Sequence, residues 1–194
     1  MATSLRRYFY ECDLYGRLYL EGVKRKNIAT CLKDDKFINF FYKQLKPTSF
    51  LRTHPKWVNL TTDFVTVELE EQYPYVSICG KELNFLKPED VPIVYTKLLP
   101  TTATTTSTKE NNSQKPLFQL SYGASLKVPF DPSALHLCTK KGYLYHPVPS
   151  VKQCGTLGLI SSPLVLSEFQ QSLSFEESGV FFHFEANHYQ VKQV

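Results

Sequence analysis

Apolar and polar positions first fall into register at Tyr8–Cys12, an alternating stretch followed by Leu14-Tyr15-Gly16 and by β-favouring residues from Arg17 to Leu20. A period of two on either side of a glycine able to take positive φ predicts a hairpin. The period then lengthens. Phe37, Phe40, Phe41 and Leu45 fall at i, i+3, i+4 and i+8, behind Asp34 or Asp35 as the capping residue and ahead of Pro47 as a stop. These signals predict a helix over 34–46. Its phenylalanine stripe must pack on a sheet, because leaving it in water forfeits roughly 2 kcal/mol per ring. Phe64–Glu70 alternates again and reads as a half-buried or edge strand with acids at one end. Tyr73–Cys79 reads as a strand closed by Gly80. Two prolines, Pro88 and Pro92, bracket Glu89 and Asp90 in a rigid turn before the apolar run Ile93 to Leu99.

Pro100 to Pro116 breaks the pattern. It holds six threonines between 101 and 108, then Lys109-Glu110-Asn111-Asn112-Ser113-Gln114, with Ala103 as the apolar position. That composition reads as a flexible low-complexity loop. Beyond it, Phe118–Tyr122 and Leu126–Phe130 flank Gly123 as a second hairpin, and Pro132 to Leu137 suits one helical turn. Gly142 to Pro147 is extended, and Gly155, Gly158 and Leu159-Ile160 lead into Leu164–Phe169. The chain closes with Val180–Phe184, a turn at Ala186-Asn187 and Tyr189–Val191. The expected fold is α+β and mainly antiparallel, with about ten short strands and one amphipathic helix packed on a sheet. The expected organisation is a β-rich half over 1–99, the loop over 100–116 and a second β-rich half over 117–194.

Composition narrows the class. The 194 residues are 42% hydrophobic and 21% charged, with 14 Phe and 12 Tyr, which excludes general disorder. No apolar run approaches the ~18 residues of a spanning helix. The net charge of +4 is concentrated near the start, where residues 1–50 carry ten Lys or Arg against five acids. Arg6, Arg7, Lys24, Arg25 and Lys26 form a candidate basic patch beside the rings Tyr8-Phe9-Tyr10. Such an arrangement suits single-stranded RNA stacking, although the same rings equally suit a core against the Phe37 helix, and the core reading is preferred. Cys12, Cys31, Cys79, Cys138 and Cys154 are odd in number and contain no CxxC pair, which points to reduced thiols rather than a disulfide framework or a zinc ribbon.

Several stretches carry a family resemblance. They are Tyr8-Phe9-Tyr10 with Asp13, Gly16 and Leu18-Tyr19-Leu20; Lys26-Asn27 with Thr30-Cys31, Lys33-Asp34, Phe37 and Phe40-Phe41; and Cys79-Gly80-Lys81-Glu82 with Asn84-Phe85-Leu86, Glu89-Asp90 and Pro92-Ile93-Val94. Leu120-Ser121-Tyr122, Val128-Pro129-Phe130 and Leu144-Tyr145-His146-Pro147 complete the set. In these the chain resembles uncharacterised protein family 0598, a small eukaryotic family of mostly mitochondrial proteins, and the resemblance implies a mitochondrial location, with the cytoplasm as the alternative. Seven residues precede Tyr8, too few for an amphipathic targeting helix. The 50–72 stretch is longer than that family's usual connection. The resemblance implies no activity, cofactor or catalytic residue.

The chemistry-bearing motifs are sparse. G-x-S-x-G, H-E-x-x-H, the Walker loop and G-x-G-x-x-G are all missing from the sequence. Gly155-Thr156-Leu157-Gly158 has the letters of an RNA-clamping GXXG loop, but its flanks look extended rather than helical. Glu89 and Asp90 are candidates for binding or for acid–base work, and His146 for a general acid or base. Asn84 and Tyr122, from the stretches that carry the resemblance, join them as candidate binding residues. Asp13 reads as a turn acid. His54, His136, His183 and His188 show no metal spacing, since His183 and His188 stand five apart across a turn, and no metal or other cofactor is expected. The preferred reading is a non-enzymatic binding or assembly module with a protein or small-ligand partner. The alternatives are a hydrolase with a Glu89/Asp90/His146 cleft and an RNA binder using the N-terminal hairpin.

Overall fold

The structure, a computed structural model, describes residues 5–101, 118–148 and 154–194. The predicted low-complexity loop over 100–116 lies almost wholly outside the described residues.

The N-terminal hairpin forms as expected. β1 (Arg6–Cys12) and β2 (Leu18–Leu20) are antiparallel, with Tyr10 opposite Leu20 and Cys12 opposite Leu18. Gly16 makes the turn at φ +75°, where a Cβ would press on Val94 at 3.2 Å and Thr96 at 3.3 Å. The chain then enters α1 (Asp35–Lys43), capped by Asp34, whose carboxylate accepts from the Lys36 and Phe37 N–H groups. β3 (Leu45–Pro47) follows, and three short helices intervene: α2 (Ser49–Thr53), α3 (Pro55–Thr61) and α4 (Val67–Gln72). β4 (Tyr75–Cys79) and β5 (Glu82–Pro88) complete a five-stranded sheet of order β2-β1-β5-β4-β3.

A seven-stranded sheet takes β6 (Val94–Pro100), β7 (Phe118–Tyr122), β8 (Leu126–Pro129), β9 (His136–Cys138), β10 (Tyr143–Pro147), β11 (Leu157–Ile160) and a short C-terminal β15 (Lys192–Gln193). Its order is β15-β9-β10-β11-β6-β7-β8. β6, counted from sequence with the first half, therefore hydrogen-bonds to β7 and β11 of the second. A three-stranded sheet, β12 (Leu173–Glu176), β13 (Gly179–Phe184) and β14 (Asn187–Gln190), closes the chain.

Alternation along β1 and β5 explains the two cores. Tyr8, Tyr10, Cys12 and Leu86 face a large apolar cluster shared with α1 and the seven-stranded sheet. Phe9, Leu83 and Phe85 point the other way, into a smaller cluster with Leu51, Trp57, Val65, Tyr73 and Val76 beneath the short helices. The centre of β5 is thus buried on both faces, from Leu83 to Leu86, with Asn84 as the polar member of the run.

The expected elements are corrected at several points. The fold is α+β but its sheets are mixed, with a curled half-barrel among them; β1–β5, β6–β11 and β9–β15 are parallel. Parallel pairing needs a crossover, and the long excursion through α1 to α4 between β1 and β5 provides one. Helices are several, not one. Phe64–Glu70 is not a strand: the Thr66 hydroxyl accepts from the Leu69 N–H, and Glu68 and Glu70 sit in the first turn of α4, where carboxylates are stabilised by the positive end of the helix dipole. Leu164–Phe169 is helical too, entered through Pro163 in the turn Ser162–Leu164 and continued by a π-turn over Val165–Phe169. Finally, α1 stops at Lys43 rather than at 46; Leu45 belongs to β3, Phe40 is exposed, and Tyr42 is buried instead.

Candidate functional site

Pro88 and Pro92 hold the turn between β5 and β6 against the end of β1, where the Glu89 N–H donates to the Cys12 carbonyl at 2.8 Å. The two acids of this turn separate. Asp90 turns inward: its side chain is 7% exposed, Lys141 Nζ lies 2.5 Å from Oδ1, and the Tyr145 hydroxyl donates to Oδ2 at 2.8 Å. Burial, and after it the bond to Asp90, pushes the Tyr145 phenol well above its ordinary range, so the phenol stays protonated as the donor. The hydrogen bond to Asp90 likewise raises the Lys141 ammonium. Glu89 is exposed and makes no ion pair or side-chain hydrogen bond among the described residues.

Asp90→Ala is therefore expected to lower stability by about 1–3 kcal/mol, because it orphans a largely buried phenol, whereas Glu89→Ala should stay within about 0.5 kcal/mol of the parent. Thermal melts of the two variants check this. Equal melting temperatures would refute the assignment of Asp90 as a structural anchor.

His146 does not join these carboxylates. It is next to Tyr145 on β10, and neighbours on a strand face opposite ways. Its Nε2 accepts from the Asp131 N–H at 3.0 Å, and its Nδ1 lies 2.9 Å from the Pro147 carbonyl, which requires Nδ1–H. The ring packs between Phe130 and Tyr95, with centroids 5.5 and 6.0 Å away. Burial lowers its pKa below the ordinary histidine value. The unfolded chain then binds a proton in acid that the folded chain refuses, so this stabilisation is present above about pH 6.5 and is lost as the pH falls toward the depressed folded value. Melts at pH 7.5 and 5 are expected to show a steeper acid loss for the wild type than for His146→Asn; parallel curves would contradict it.

The other candidates are placed as follows. Asn84 is fully buried on β5, its Nδ2 donating to the Ser77 carbonyl at 3.2 Å, while its Oδ1 has no hydrogen-bond partner among the described residues. Tyr122 is buried, with ring contacts to Tyr42 and Tyr95 at 6.0 Å each. The basic patch disperses: Arg6 pairs with Glu82, Arg7 stacks over Phe64, Lys26 pairs with Glu11, and Lys24 and Arg25 are exposed. The rings beside it are core. Tyr10 lies against Phe37 and Phe41, and Phe9 against Tyr73 and Phe85 on the reverse face.

A cleft of about 320 Å³ opens where β1 ends, lined by Glu11, Cys12, Asp13, Tyr19, Lys26, Lys87, Pro88 and Glu89. Asp13 is saturated there. It accepts from the Tyr15 and Arg17 N–H groups at 2.9 Å, from the Tyr19 hydroxyl at 3.1 Å and from Arg17 Nε at 3.1 Å, as a turn acid should. Burial, the largest influence on it, pushes the Cys12 thiol up to about 12, so it is no thiolate nucleophile at neutral pH. The groups left to meet a ligand are the Lys87 ammonium and the Glu89 carboxylate, with the Glu11–Lys26 pair at the rim. Sequence reasoning singled out Glu89 but missed Lys87, which flanks Pro88 beside it, and missed Glu11 and Tyr19, which only the fold brings to it.

All five cysteines are free. Among the described residues no three His, Cys, Asp or Glu side chains are grouped to hold a metal, and no helix is long and apolar enough to cross a membrane.

These features define a small mixed-sheet α+β protein with a charged surface cleft. The chain belongs to the family described as a domain of unknown function, DUF4505, whose model matches residues 1–194. It is similar to a DUF1285 family protein from Silicibacter pomeroyi DSS-3, with 11% identity and a TM-score of 0.50 over 95% of this chain and 80% of that one. A DUF1285 family protein from Shewanella baltica OS155 matches at 14% identity and a TM-score of 0.42, over 84% of this chain and 88% of that one. The former likeness shows a shared fold. The full-length match to DUF4505 overturns the resemblance to family 0598, and the mitochondrial expectation, which rested on that resemblance, goes no further than it.

Proposed function

We propose that the protein is a non-enzymatic binding module whose recognition site is the cleft at the end of β1, and that its ligand is a small polar molecule or peptide end carrying both charges. The observation that carries this reading is the juxtaposition of Lys87 and Glu89, both exposed and flanking Pro88 at the mouth of a cleft of ligand size. Opposite charges on a backbone stiffened by proline recognise a zwitterion with little ordering cost. The side chains suited to acid–base work support it from the other side: His146 spends both ring nitrogens on backbone groups, and Asp90 is held by Lys141 and Tyr145.

The test is to titrate amino acids and dipeptides into the isotope-labelled protein and follow the backbone amides, alongside affinity purification of the tagged chain. Shifts centred on Lys87 and Glu89, weakened by Lys87→Ala, are expected. Recovery of the protein alone together with unmoved cleft amides would overturn the reading.

A further inference from the structure

The C-terminal hairpin gathers a second polar cluster, on a different sheet from the cleft. β13 and β14 are joined by the two-residue turn Glu185-Ala186, with Glu185 at φ +55° and Phe184 opposite Asn187. Next along the ladder, His183 stands directly opposite His188. In a hairpin with a two-residue loop this second pair is non-hydrogen-bonded, the type in which cross-strand side chains approach most closely. A spacing of five, which on a helix would scatter two histidines, here makes them neighbours: the ring centroids are 4.4 Å apart at 85°.

Period-two alternation sets the surroundings. Val180 and Phe182 of β13 are buried in the core, whereas His183, His188, Ser174 and Glu176 share the outer face. Ser174 Oγ lies 2.8 Å from His183 Nε2 and donates to Glu176 Oε1 at 3.4 Å. A hydroxyl has one proton. With that proton on Glu176, the serine oxygen accepts from His183 Nε2–H, which leaves the lone pair of His183 on Nδ1. A carboxylate acting through a hydroxyl on the far nitrogen is the support that fixes the tautomer and orientation of a metal-ligating imidazole. His188 makes no hydrogen bond among the described residues and its ring is exposed.

We propose that His183 and His188 form an open two-histidine site for a borderline divalent cation of the zinc, nickel and copper type, with Ser174 and Glu176 orienting His183 and water completing the coordination shell. Two nitrogens on a tetrahedral zinc at about 2.0–2.1 Å stand about 3.3 Å apart, and rings with centroids 4.4 Å apart are within range of sharing one ion. Imidazole is the ligand that suits these ions, and no thiol or aspartate is needed.

The experiment titrates Zn2+ into the full chain by calorimetry while histidine ring resonances are followed by NMR. One ion per chain is expected, with shifts at both His183 and His188. His188→Asn, an exposed change that should leave the circular dichroism unaltered, is expected to lower affinity at least tenfold. Ser174→Ala is expected to weaken binding about tenfold while keeping both rings as ligands. Zinc affinity preserved in His188→Asn would place the ion on other groups, such as the thiols, and overturn the site. Ring resonances unmoved by saturating Zn2+ in the wild type would overturn it equally.

Discussion

Tyr10→Ala is expected to cost roughly 3–5 kcal/mol of stability, a large share of the ~5–15 kcal/mol that holds a typical domain together. Tyr10 is 7% exposed and sits between Phe37 at 6.0 Å and Phe41 at 5.5 Å, with Leu20 and Leu86 as its lateral strand partners. Truncation removes the ring on which α1 rests, and the hairpin cannot collapse inward because Phe9 holds the opposite face against Phe85 at 5.3 Å. Thermal or urea melts measure the loss directly. The same variant separates the core from an RNA platform: a stacking ring could be removed without harm to the fold, at the loss of about 1–3 kcal/mol of salt-sensitive single-strand binding. Wild-type melting with lost RNA binding would refute the core assignment.

Gly158→Ala is the second large effect, expected at about 1–3 kcal/mol or somewhat more. Its cause is purely steric, since a Cβ at this position would stand 2.7 Å from Tyr95 Cε2 and 3.1 Å from both Tyr95 Cζ and Val148 Cγ2. Tyr95 cannot retreat. It is fully buried, its hydroxyl donates to the Pro147 carbonyl at 2.9 Å, and its ring meets Tyr122 edge-on at 6.0 Å. Gly155 provides the contrast, because at φ +96° with nothing within 4 Å its alanine variant bears only backbone strain of about 1 kcal/mol. The measurement is the difference in melting temperature between the two variants. A Gly158→Ala protein that melts like the wild type would refute the close approach of Tyr95 to β11. The glycines of the GXXG letters therefore belong to a strand and its approach, and the second of them is there to admit a tyrosine.

Local signals were legible wherever one residue decides the backbone. Gly16 and the alternation around it marked the β1–β2 hairpin, Asp34 marked the start of α1, and the two prolines marked the turn that separates β5 from β6. The same kind of signal misled where two readings share one pattern. Phe64 to Glu70 alternates like a strand, yet Thr66 followed by Glu68 and Glu70 is also a helix start, and capping decided it. A Thr with acids two and four residues after it was available as the clue. Strand direction left no such trace, because a residue's side-chain period is two whether its neighbour runs parallel or antiparallel.

By itself, then, the sequence determined the hairpin around Gly16, the helix start at Asp34 and the turn between Pro88 and Pro92, and that most of the aromatic rings must be buried, because these follow from φ preferences and apolar area. Tertiary structure alone decided which acid of the Glu89-Asp90 pair turns inward to Tyr145, that Glu11 and Tyr19 meet Lys87 and Glu89 at one cleft, and that His183 faces His188. Those are facts of register and strand order, set by the packing of distant segments against each other, and no spacing along the chain encodes them.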